Sequence, residues 1–326
     1  MDKSLKVVSA FRFPEEAHKQ LNEAAGSEVV FVSNEEALRE HLPDAEVLCI
    51  FDVPANIQEL APKLRWLQFP GAGVDSLGAV GLLDEGSTIQ ITTAAGIHAT
   101  NITEYVFGSM LMFNRSWPEM IHLQDRHLWP QSPGWYNLRN WELSGKTLGI
   151  VGLGSIGRRV AAVGRAFEMH VLGMRYSAKK GKHDPDVDQL FSPDQLTEML
   201  GQCDYVVLAV PLTPQTEKLI GERELRAMRK DAYLINVARG KVIDEPVLIQ
   251  ALQEKWIAGA GLDVTETEPL PADSPLYALQ NVILTPHISG GTIYYGERLA
   301  TLFADNIRRF RSKKPLRNLY DPKRRY

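Results

Sequence analysis

The feature that most constrains the fold of this chain is a glycine motif near its middle. The apolar run Leu148–Val151 leads directly into Gly152-x-Gly154-x-x-Gly157, and apolar residues follow at helical spacing, which predicts a strand, a tight turn and a helix start. In such a unit Gly152 permits the turn, Gly154 lets the backbone approach a pyrophosphate, and Gly157 lets helix and strand pack closely. The motif therefore predicts a dinucleotide bound at the positive end of a helix dipole. The predicted contacts from this segment are Gly152, Gly154, Ser155, Ile156 and Gly157.

Composition limits the compartment and the classes of partner. The 326 residues suffice for two domains of ordinary size, and the net charge of -4 shows no bias towards nucleic acid. The basic segment Arg308–Tyr326 is expected to be a solvated helix and tail. Cys49 and Cys203 lie in or beside apolar runs, so we expect buried free thiols rather than a disulfide or a metal site. The N-terminus lacks the apolar core of a secretion signal and no apolar run spans a membrane, so we expect a cytoplasmic protein that binds neither membrane nor nucleic acid.

Two series of short apolar strands are separated by amphipathic helices. Such alternation is typical of parallel α/β sheets, and strands as apolar as the second series are expected where helices cover both faces. The first series comprises Lys6–Ala10, Glu28–Val32, Val47–Phe51, Trp66–Phe69 and Thr88–Thr92. The second comprises Leu148–Val151, Met169–Met174, Tyr205–Val210, Ala232–Asn236, Gly259–Val264 and Val282–Thr285.

These series predict an α/β protein with two Rossmann-like or flavodoxin-like parallel-sheet domains. The apolar helix Asn101–Ser116 is a candidate connector, and the helix Gly296–Phe310 is expected to return to the first domain. We therefore predict a doubly wound dinucleotide-binding domain at residues 101–289. Residues 1–100, completed by 290–326, would form a smaller and discontinuous domain.

The end of the second strand of the dinucleotide domain favours NADPH over NADH. An acid is expected there, about 20 residues past the glycines, to bind the ribose hydroxyls. The chain instead has Arg175, with Ser177, Lys179 and Lys180 close by. A guanidinium binds a 2′-phosphate that a carboxylate would repel. The alternative is a solvated basic loop that follows a strand.

Three polar segments follow strands in the second half of the chain. Arg239 and Gly240 follow one strand, carboxylates from Asp263 to Glu268 follow the next, and His287 follows the last in a glycine-rich turn. Open α/β sheets bind ligands at the carboxyl ends of their strands. The coincidence therefore predicts a shared site next to the dinucleotide.

These segments, in this order after this glycine motif, resemble the D-isomer-specific 2-hydroxyacid dehydrogenases. The resemblance covers nearly the whole chain and includes Phe69–Asp75, Asn101–Tyr105 and Val210–Thr216. The run Asp263–Pro271 and the basic end of the second strand are most similar to the glyoxylate/hydroxypyruvate reductase branch. The resemblance implies an oxidoreductase that reduces a small 2-keto acid to the D-2-hydroxy acid with NADPH preferred and NAD possible. The smaller domain would then be the substrate domain.

The resemblance also implies roles for particular residues. His287 would be the general acid, Glu268 would hold its ring, and Arg239 would bind the substrate's oxygens. Glu266 is the surface alternative to Glu268. Substrate contacts are expected from Ala72, Gly73, Val74, Arg239 and His287, although the glycine loop Gly71–Val74 taken alone is a simple turn. Asp263 would orient the nicotinamide, and further cofactor contacts are expected from Val210, Pro211, Thr216, Val237, Ala238, Arg239, His287 and Gly290.

Several other residues carry weaker signals. His98 is expected to be structural, and Trp135 either caps a pocket or packs at a dimer interface. His122, Asp125 and His127 imitate metal-ligand spacing, but we predict no metal site because the implied chemistry needs none. The resemblance and the apolar helix that begins at Asn101 suggest a homodimer. A dehydrogenase for a larger 2-hydroxy acid, or for an inorganic or one-carbon substrate, and a dinucleotide-sensing corepressor remain alternatives.

Overall fold

The computed structural model describes residues 5–84, 86–131, 140–179 and 181–324 of the chain. It divides into two compact units. Unit 1 spans residues 1–97 and 292–326, and unit 2 spans residues 98–291. The predicted fold class, two parallel-sheet α/β domains, is confirmed by both sheets described below.

Unit 1 is built on a five-stranded parallel sheet in the order β2-β1-β3-β4-β5. The strands are short and largely buried, as expected for a sheet covered on both faces. They are β1 (Val7–Ser9), β2 (Val30–Phe31), β3 (Val47–Cys49), β4 (Trp66–Gln68) and β5 (Gln90–Thr92). The helices are α1 (Glu15–Ala25), α2 (Glu35–His41), α3 (Ile57–Leu60) and α10 (Tyr295–Arg311).

The terminal helix α10 packs in unit 1. Its Leu299, Phe303 and Ile307 recur at four-residue spacing, are fully buried, and share an apolar cluster with α1. The Phe303 ring contacts Trp66 of β4 with a centroid separation of 5.4 Å. This burial fixes the helix on one face of the sheet although it lies far along the chain from the strands.

Unit 2 carries a seven-stranded parallel sheet in the order β12-β11-β10-β9-β6-β7-β8. The strands are β6 (Thr147–Val151), β7 (His170–Met174), β8 (Gln189–Phe191), β9 (Tyr205–Leu208), β10 (Tyr233–Asn236), β11 (Gly259–Leu262) and β12 (Val282–Leu284). The helices are α4 (Ala99–Asn114), α5 (Trp117–Asp125), α6 (Ser155–Ala166), α7 (Leu196–Leu200), α8 (Glu222–Ala227) and α9 (Glu245–Gln253). Two apolar clusters contain the buried side chains of its two faces.

Two elements of unit 2 were not predicted. The edge strand β8 has only three residues, too few for a periodic signal, and it adds a seventh strand to the six expected. Helix α5 lies in the aromatic, proline-bearing stretch after the long helix and buries none of its residues. Proline is compatible with its first turn, so Pro118 does not prevent the helix.

Candidate active site

The glycine turn between β6 and α6 is closely packed, and two of its glycines have no room for a side chain. Gly152 adopts a φ of +106°, and a Cβ there would lie 2.5 Å from the carbonyl oxygen of Ala209 and 2.9 Å from Val210 Cγ1. A Cβ on Gly157 would lie 2.0 Å from the Gly152 carbonyl oxygen. Both positions therefore need glycine because of contacts within the protein.

Gly154 is different, because a Cβ there would meet no atom within 4 Å. The residue is exposed and is the N-cap of α6, where it offers no side chain to the first N–H groups of the helix. Ser155 is exposed and Ile156 is partly buried in the first turn. Unfilled space in front of a helix N-terminus fits the pyrophosphate of a dinucleotide.

Arg175 follows β7 directly, as predicted, but an acid lies beside it. Its Nη1 donates a hydrogen bond to Asp184 Oδ2 at 3.2 Å. The Asp184 residue is 3% exposed and also accepts from Arg158 of α6 at 3.2 Å. The pattern at the strand end did not identify Asp184, because this carboxylate comes from a later loop. Ser177 and Lys179 are exposed on that loop, and Lys180 lies outside the described residues.

The loop after β9 carries three of the expected cofactor contacts. Thr216 Oγ1 donates to the carbonyl oxygen of Pro211 at 2.6 Å and accepts from the Thr213 N–H at 2.8 Å. These bonds hold the loop in one conformation. Val210, partly buried, lies beside the Gly152 turn through the close approach described above.

The turn after β10, which carries Arg239, approaches the loop that carries Glu268 closely at Gly240. Asn236 organises it by accepting from the Ala238 N–H at 3.0 Å and donating to the Arg239 carbonyl oxygen at 3.0 Å. A Cβ on Gly240 would lie 1.9 Å from the Thr265 carbonyl carbon, so only glycine permits this approach. Val237 and Ala238 are buried, whereas Arg239 is half-buried and its Nη1 donates to the Ala238 carbonyl oxygen at 2.8 Å.

His287 and Glu268 form a hydrogen-bonded pair. His287 Nδ1 lies 2.8 Å from Glu268 Oε2, and the two side chains are 46% and 39% exposed. Glu268 Oε1 also accepts from the Thr265 N–H at 3.1 Å. The backbone N–H of Glu266 donates to Glu245 Oε2 at 2.8 Å, and it is Glu268 whose carboxylate bonds His287. The arrangement leaves one ring nitrogen of His287 to act on another molecule while the carboxylate orients the ring.

Asp263 holds the turn that carries His287. Its carboxylate is buried and accepts from the Thr285 hydroxyl at 2.7 Å and from the N–H groups of Ile288 and Ser289 at 2.9 and 3.0 Å. Its carbonyl oxygen accepts from the His287 N–H at 2.7 Å. His287 has a φ of +54°, in a region that non-glycine residues seldom adopt, and these bonds maintain that conformation.

Two further side chains support the same turn, and the sequence singled out neither one for this contact. Tyr105 of α4 makes a hydrogen bond of 2.8 Å with the Thr285 hydroxyl, and burial raises the pKa of this tyrosine to about 12. His98 Nδ1 lies 3.3 Å from the Gly290 carbonyl oxygen, and the residue is buried. The contact agrees with the structural role expected of His98.

In unit 1 the loop Gly71–Val74 follows β4. The Gly71 carbonyl oxygen accepts from the Ala94 N–H at 2.8 Å, which anchors the start of the loop. In the described part of the chain, the N–H groups of Ala72, Gly73 and Val74 have no hydrogen-bond partner. Successive N–H groups of this kind are able to bind an anion.

Three further expectations concern Trp135, metal binding and membrane-spanning helices. Trp135 lies outside the described residues. Within those residues, no three His, Cys, Asp or Glu side chains are grouped as a metal site requires. The described helices include none with the length and apolar character needed to cross a membrane.

Comparison with known proteins relates this chain to one family. The model for the D-isomer specific 2-hydroxyacid dehydrogenase NAD binding domain matches residues 107–289. The glyoxylate reductase of Thermofilum pendens is 36% identical over 277 residues, which are 84% of this chain and 80% of that protein. The D-3-phosphoglycerate dehydrogenase of Methanocaldococcus jannaschii is 34% identical over 94% of this chain, which spans only 57% of that relative's length.

A solved structure agrees with this relationship. The D-isomer specific 2-hydroxyacid dehydrogenase from Xanthobacter autotrophicus Py2, in complex with NADPH and MES, is similar to this chain with a TM-score of 0.83 and 28% sequence identity. The similarity covers 99% of this chain and all of that one. It extends beyond the matched NAD binding domain to unit 1.

Proposed function

This chain belongs to the D-isomer specific 2-hydroxyacid dehydrogenases, a family of oxidoreductases, and we propose that it reduces a small 2-keto acid of the glyoxylate or hydroxypyruvate type to the D-2-hydroxy acid, with NADPH as the preferred cofactor. The observation that carries the proposal is the 2.8 Å His287–Glu268 pair in the turns after β11 and β12. A carboxylate-bound imidazole at the carboxyl edge of a dinucleotide sheet is suited to proton transfer.

His287 is the proposed general acid. The cofactor, when bound, supplies the hydride, and the alkoxide that develops on the substrate then needs a proton. His287 Nε2 faces away from the bond that Nδ1 makes with Glu268, so it is the nitrogen that donates this proton. The Glu268 carboxylate stabilises the charged ring before transfer and fixes its orientation. In the reverse direction the neutral ring acts as base.

Arg239 and the loop of unit 1 are the proposed substrate ligands. Arg239 binds the carbonyl and carboxylate oxygens of the keto acid and offsets the negative charge that forms during reduction. Its position is supported by the contact of Gly240 with Thr265, which fixes the turn. The N–H groups of Ala72, Gly73 and Val74 offer a second binding surface for a carboxylate.

The remaining cofactor contacts are proposed around the glycine turn and the His287 turn. Asp263 has about four lone-pair sites, of which the described bonds use three, so one is left for the nicotinamide carboxamide. Arg239 and His287 are further proposed contacts at the nicotinamide end. The other proposed contacts are Gly152, Gly154, Ser155, Ile156, Gly157, Val210, Pro211, Thr216, Val237, Ala238 and Gly290.

The preference for NADPH is proposed from the charge at the end of β7. Arg175 presents a partly exposed guanidinium there, with Ser177 beside it and the exposed cations Lys179 and Lys182 on the same loop. A 2′-phosphate is attracted by such a surface, and a guanidinium binds it through paired hydrogen bonds. The NADPH complex of the Xanthobacter relative supports this choice.

A second candidate, reduction of a larger 2-keto acid, is favoured by one observation in unit 1. A cavity of about 500 Å³ is lined by apolar and aromatic side chains, among them Phe11, Phe51 and Tyr295, with Arg12 at its wall. The Tyr295 hydroxyl donates to the Pro70 carbonyl oxygen at 2.7 Å, directly before the Gly71–Val74 loop. An apolar substrate side chain would have room beside a carboxylate bound at that loop.

Oligomeric state and location are also proposed. Helix α5 and the residues after it expose Trp117, Ile121, Leu128 and Trp129, the last at 86%. Several large apolar side chains exposed on one short segment are typical of a protein interface, and we propose a homodimer. The free thiols of Cys49 and Cys203 are buried, and burial raises the pKa of both, to about 12 for Cys203. Unpaired inert thiols are typical of a reducing compartment, which supports a cytoplasmic location.

The proposal is tested by steady-state oxidation of NADPH and NADH with glyoxylate, hydroxypyruvate, pyruvate and phenylpyruvate. Faster turnover of the first two with NADPH supports the primary proposal, and faster turnover of phenylpyruvate supports the larger-substrate candidate. Efficient use of NADH alone contradicts the preference assigned to Arg175. Tight dinucleotide binding without turnover contradicts the enzyme proposal and favours a dinucleotide sensor.

A further inference from the structure

A buried carboxylate joins two arginines at the end of β7, and we call Arg158, Arg175 and Asp184 the ribose-end cluster. Asp184 Oδ1 accepts from Arg158 Nη1 at 3.2 Å and from the Asp186 N–H at 3.1 Å. Asp184 Oδ2 accepts from Arg158 Nη2 and Arg175 Nη1, each at 3.2 Å. The Asp184 side chain is 4% exposed, and each arginine side chain is 38% exposed.

These bonds exclude one role for Asp184. An ionised carboxylate has about four lone-pair sites, and the cluster fills four of them with donors from this chain. Asp184 therefore has no acceptor left for the ribose hydroxyls that an acid binds in NAD sites. Its oxygens instead bind the two arginines and the Asp186 N–H.

The hydrogen bond to Asp184 restrains the Arg175 guanidinium. Asp184 engages one of its terminal nitrogens, and the Arg175 Nε is buried with no hydrogen-bond partner in the described part of the chain. The other terminal nitrogen has no partner there either, so the guanidinium is held at one corner while donors remain for a ligand. A planar fork binds a phosphate well only when its orientation is set.

We propose that Asp184 is a positioning residue for cofactor selection, which holds the Arg175 guanidinium in the orientation that binds the 2′-phosphate of NADPH. Arg158 donates to both oxygens of the carboxylate and keeps it from turning away. The proposal rests on the NADPH preference proposed above. Asp184 would thereby support phosphate binding, although its own negative charge repels the phosphate.

The direction in which Asp184→Asn changes NADPH affinity separates the positioning effect of Asp184 from the repulsion between its charge and the phosphate. Asp184→Asn removes a negative charge near the phosphate, so electrostatics alone predicts tighter NADPH binding. The amide also has an NH2 group in place of one acceptor oxygen, and this group faces guanidinium donors. If positioning dominates, Arg175 loses its orientation and NADPH affinity falls about tenfold, while NADH affinity is unchanged.

The experiment measures dissociation constants by calorimetry for NADPH, NADH, adenosine 2′,5′-bisphosphate and adenosine 5′-monophosphate. Asp186→Asn is the matched control, because Asp186 contacts Arg158 and has no described contact with Arg175. We expect Asp184→Asn to weaken NADPH and the bisphosphate, and Asp186→Asn to leave both within about twofold. Unchanged or tighter NADPH binding in Asp184→Asn overturns the positioning role.

A second variant keeps the proposal testable if Asp184→Asn does not fold. Arg175→Lys retains the charge but lacks the planar fork that Asp184 orients, so we expect it to lose most of the NADPH preference. Full retention of the preference in Arg175→Lys means that charge alone suffices, which overturns the proposal. Equal affinity of the unmodified protein for NADPH and NADH would instead contradict the proposed cofactor preference.

Discussion

Two parts of unit 2 each pair a carboxylate with a cationic or basic side chain but differ in exposure: the ribose end, which is the ribose-end cluster, and the proposed catalytic end, which comprises Glu268 and His287. At the ribose end the Asp184 side chain is 4% exposed and its acceptor sites are filled. At the catalytic end Glu268 and His287 are 39% and 46% exposed, and one ring nitrogen lies outside the pair. A buried carboxylate whose acceptor sites are filled is suited to holding neighbouring side chains in place. A partly exposed pair with one ring nitrogen outside the pair is suited to transferring a proton.

The largest effect is expected at the catalytic end. His287→Ala should lower turnover by about 10²–10⁴-fold, because it removes the proposed general acid, with a much smaller change in NADPH affinity because the other proposed cofactor contacts remain. Steady-state kinetics and calorimetry on the same preparation measure both quantities. His170→Ala is the control, since His170 begins β7 and pairs with Asp188 at 3.3 Å. Near-normal turnover in His287→Ala would reject the assignment.

Glu268→Gln should have a smaller effect than loss of the histidine. The amide retains a hydrogen bond to the ring but loses the charge that stabilises its protonated form, so turnover should fall roughly tenfold to a hundredfold. Glu266→Gln is the matched control, because the structure pairs Glu268 and not Glu266 with His287. Equal losses in the two variants would show that the described pair has no special role.

At the ribose end, Arg175→Ala should alter cofactor choice rather than chemistry. We expect NADPH affinity to fall about tenfold, the size of one charge-assisted bond, with NADH affinity and maximal turnover with NADH unchanged. Arg159→Ala provides the comparison, since Arg159 is an exposed arginine on the neighbouring helix. A proportional loss for both cofactors would mean that Arg175 supports the fold and not the phosphate.

The smallest effect is expected on stability, from a partly exposed ion cluster in unit 1 formed by Asp305, Arg309 and Arg317. Arg309, and then Arg317, hold the pKa of Asp305 below its usual value. The stabilisation is therefore present at neutral pH and lost as the pH falls through the lowered pKa. Asp305→Asn should cost less than about 1 kcal/mol at pH 7 and nothing in strong acid. Chemical unfolding at the two pH values measures the difference, and a cost that persists in acid would contradict the ionic origin.

The candidate catalytic residues could be located from the sequence because they lie at strand ends, and their roles stay predictions. Arg239, Glu268 and His287 each follow an apolar run, and parallel strands bring such residues to one edge of the sheet. The choice of Glu268 over Glu266 depended on the family resemblance, since spacing alone left both open. The contact geometry in the structure agrees with that choice.

The ribose end could be predicted only in part. Arg175 follows its strand directly, but Asp184 reaches it through a loop whose path has no periodic signal. Asp263 is a similar case, because its position after a strand was predicted but its hydrogen bonds were not. Its bonds to the Ile288 and Ser289 N–H groups depend on the shape of the turn. The end of a strand can be predicted from neighbouring residues, whereas a contact between loops depends on residues that lie far apart in the chain.

We propose that this chain transfers a hydride from NADPH to a 2-keto acid and delivers the proton through His287. The most direct test incubates the protein with a limiting amount of NADPH and excess hydroxypyruvate, and determines oxidised cofactor by absorbance and the product by chiral chromatography. We expect equal amounts of NADP⁺ and the D-2-hydroxy acid, with formation of both slowed together in His287→Ala. Absence of hydroxy acid, or formation of the L-isomer, would contradict it.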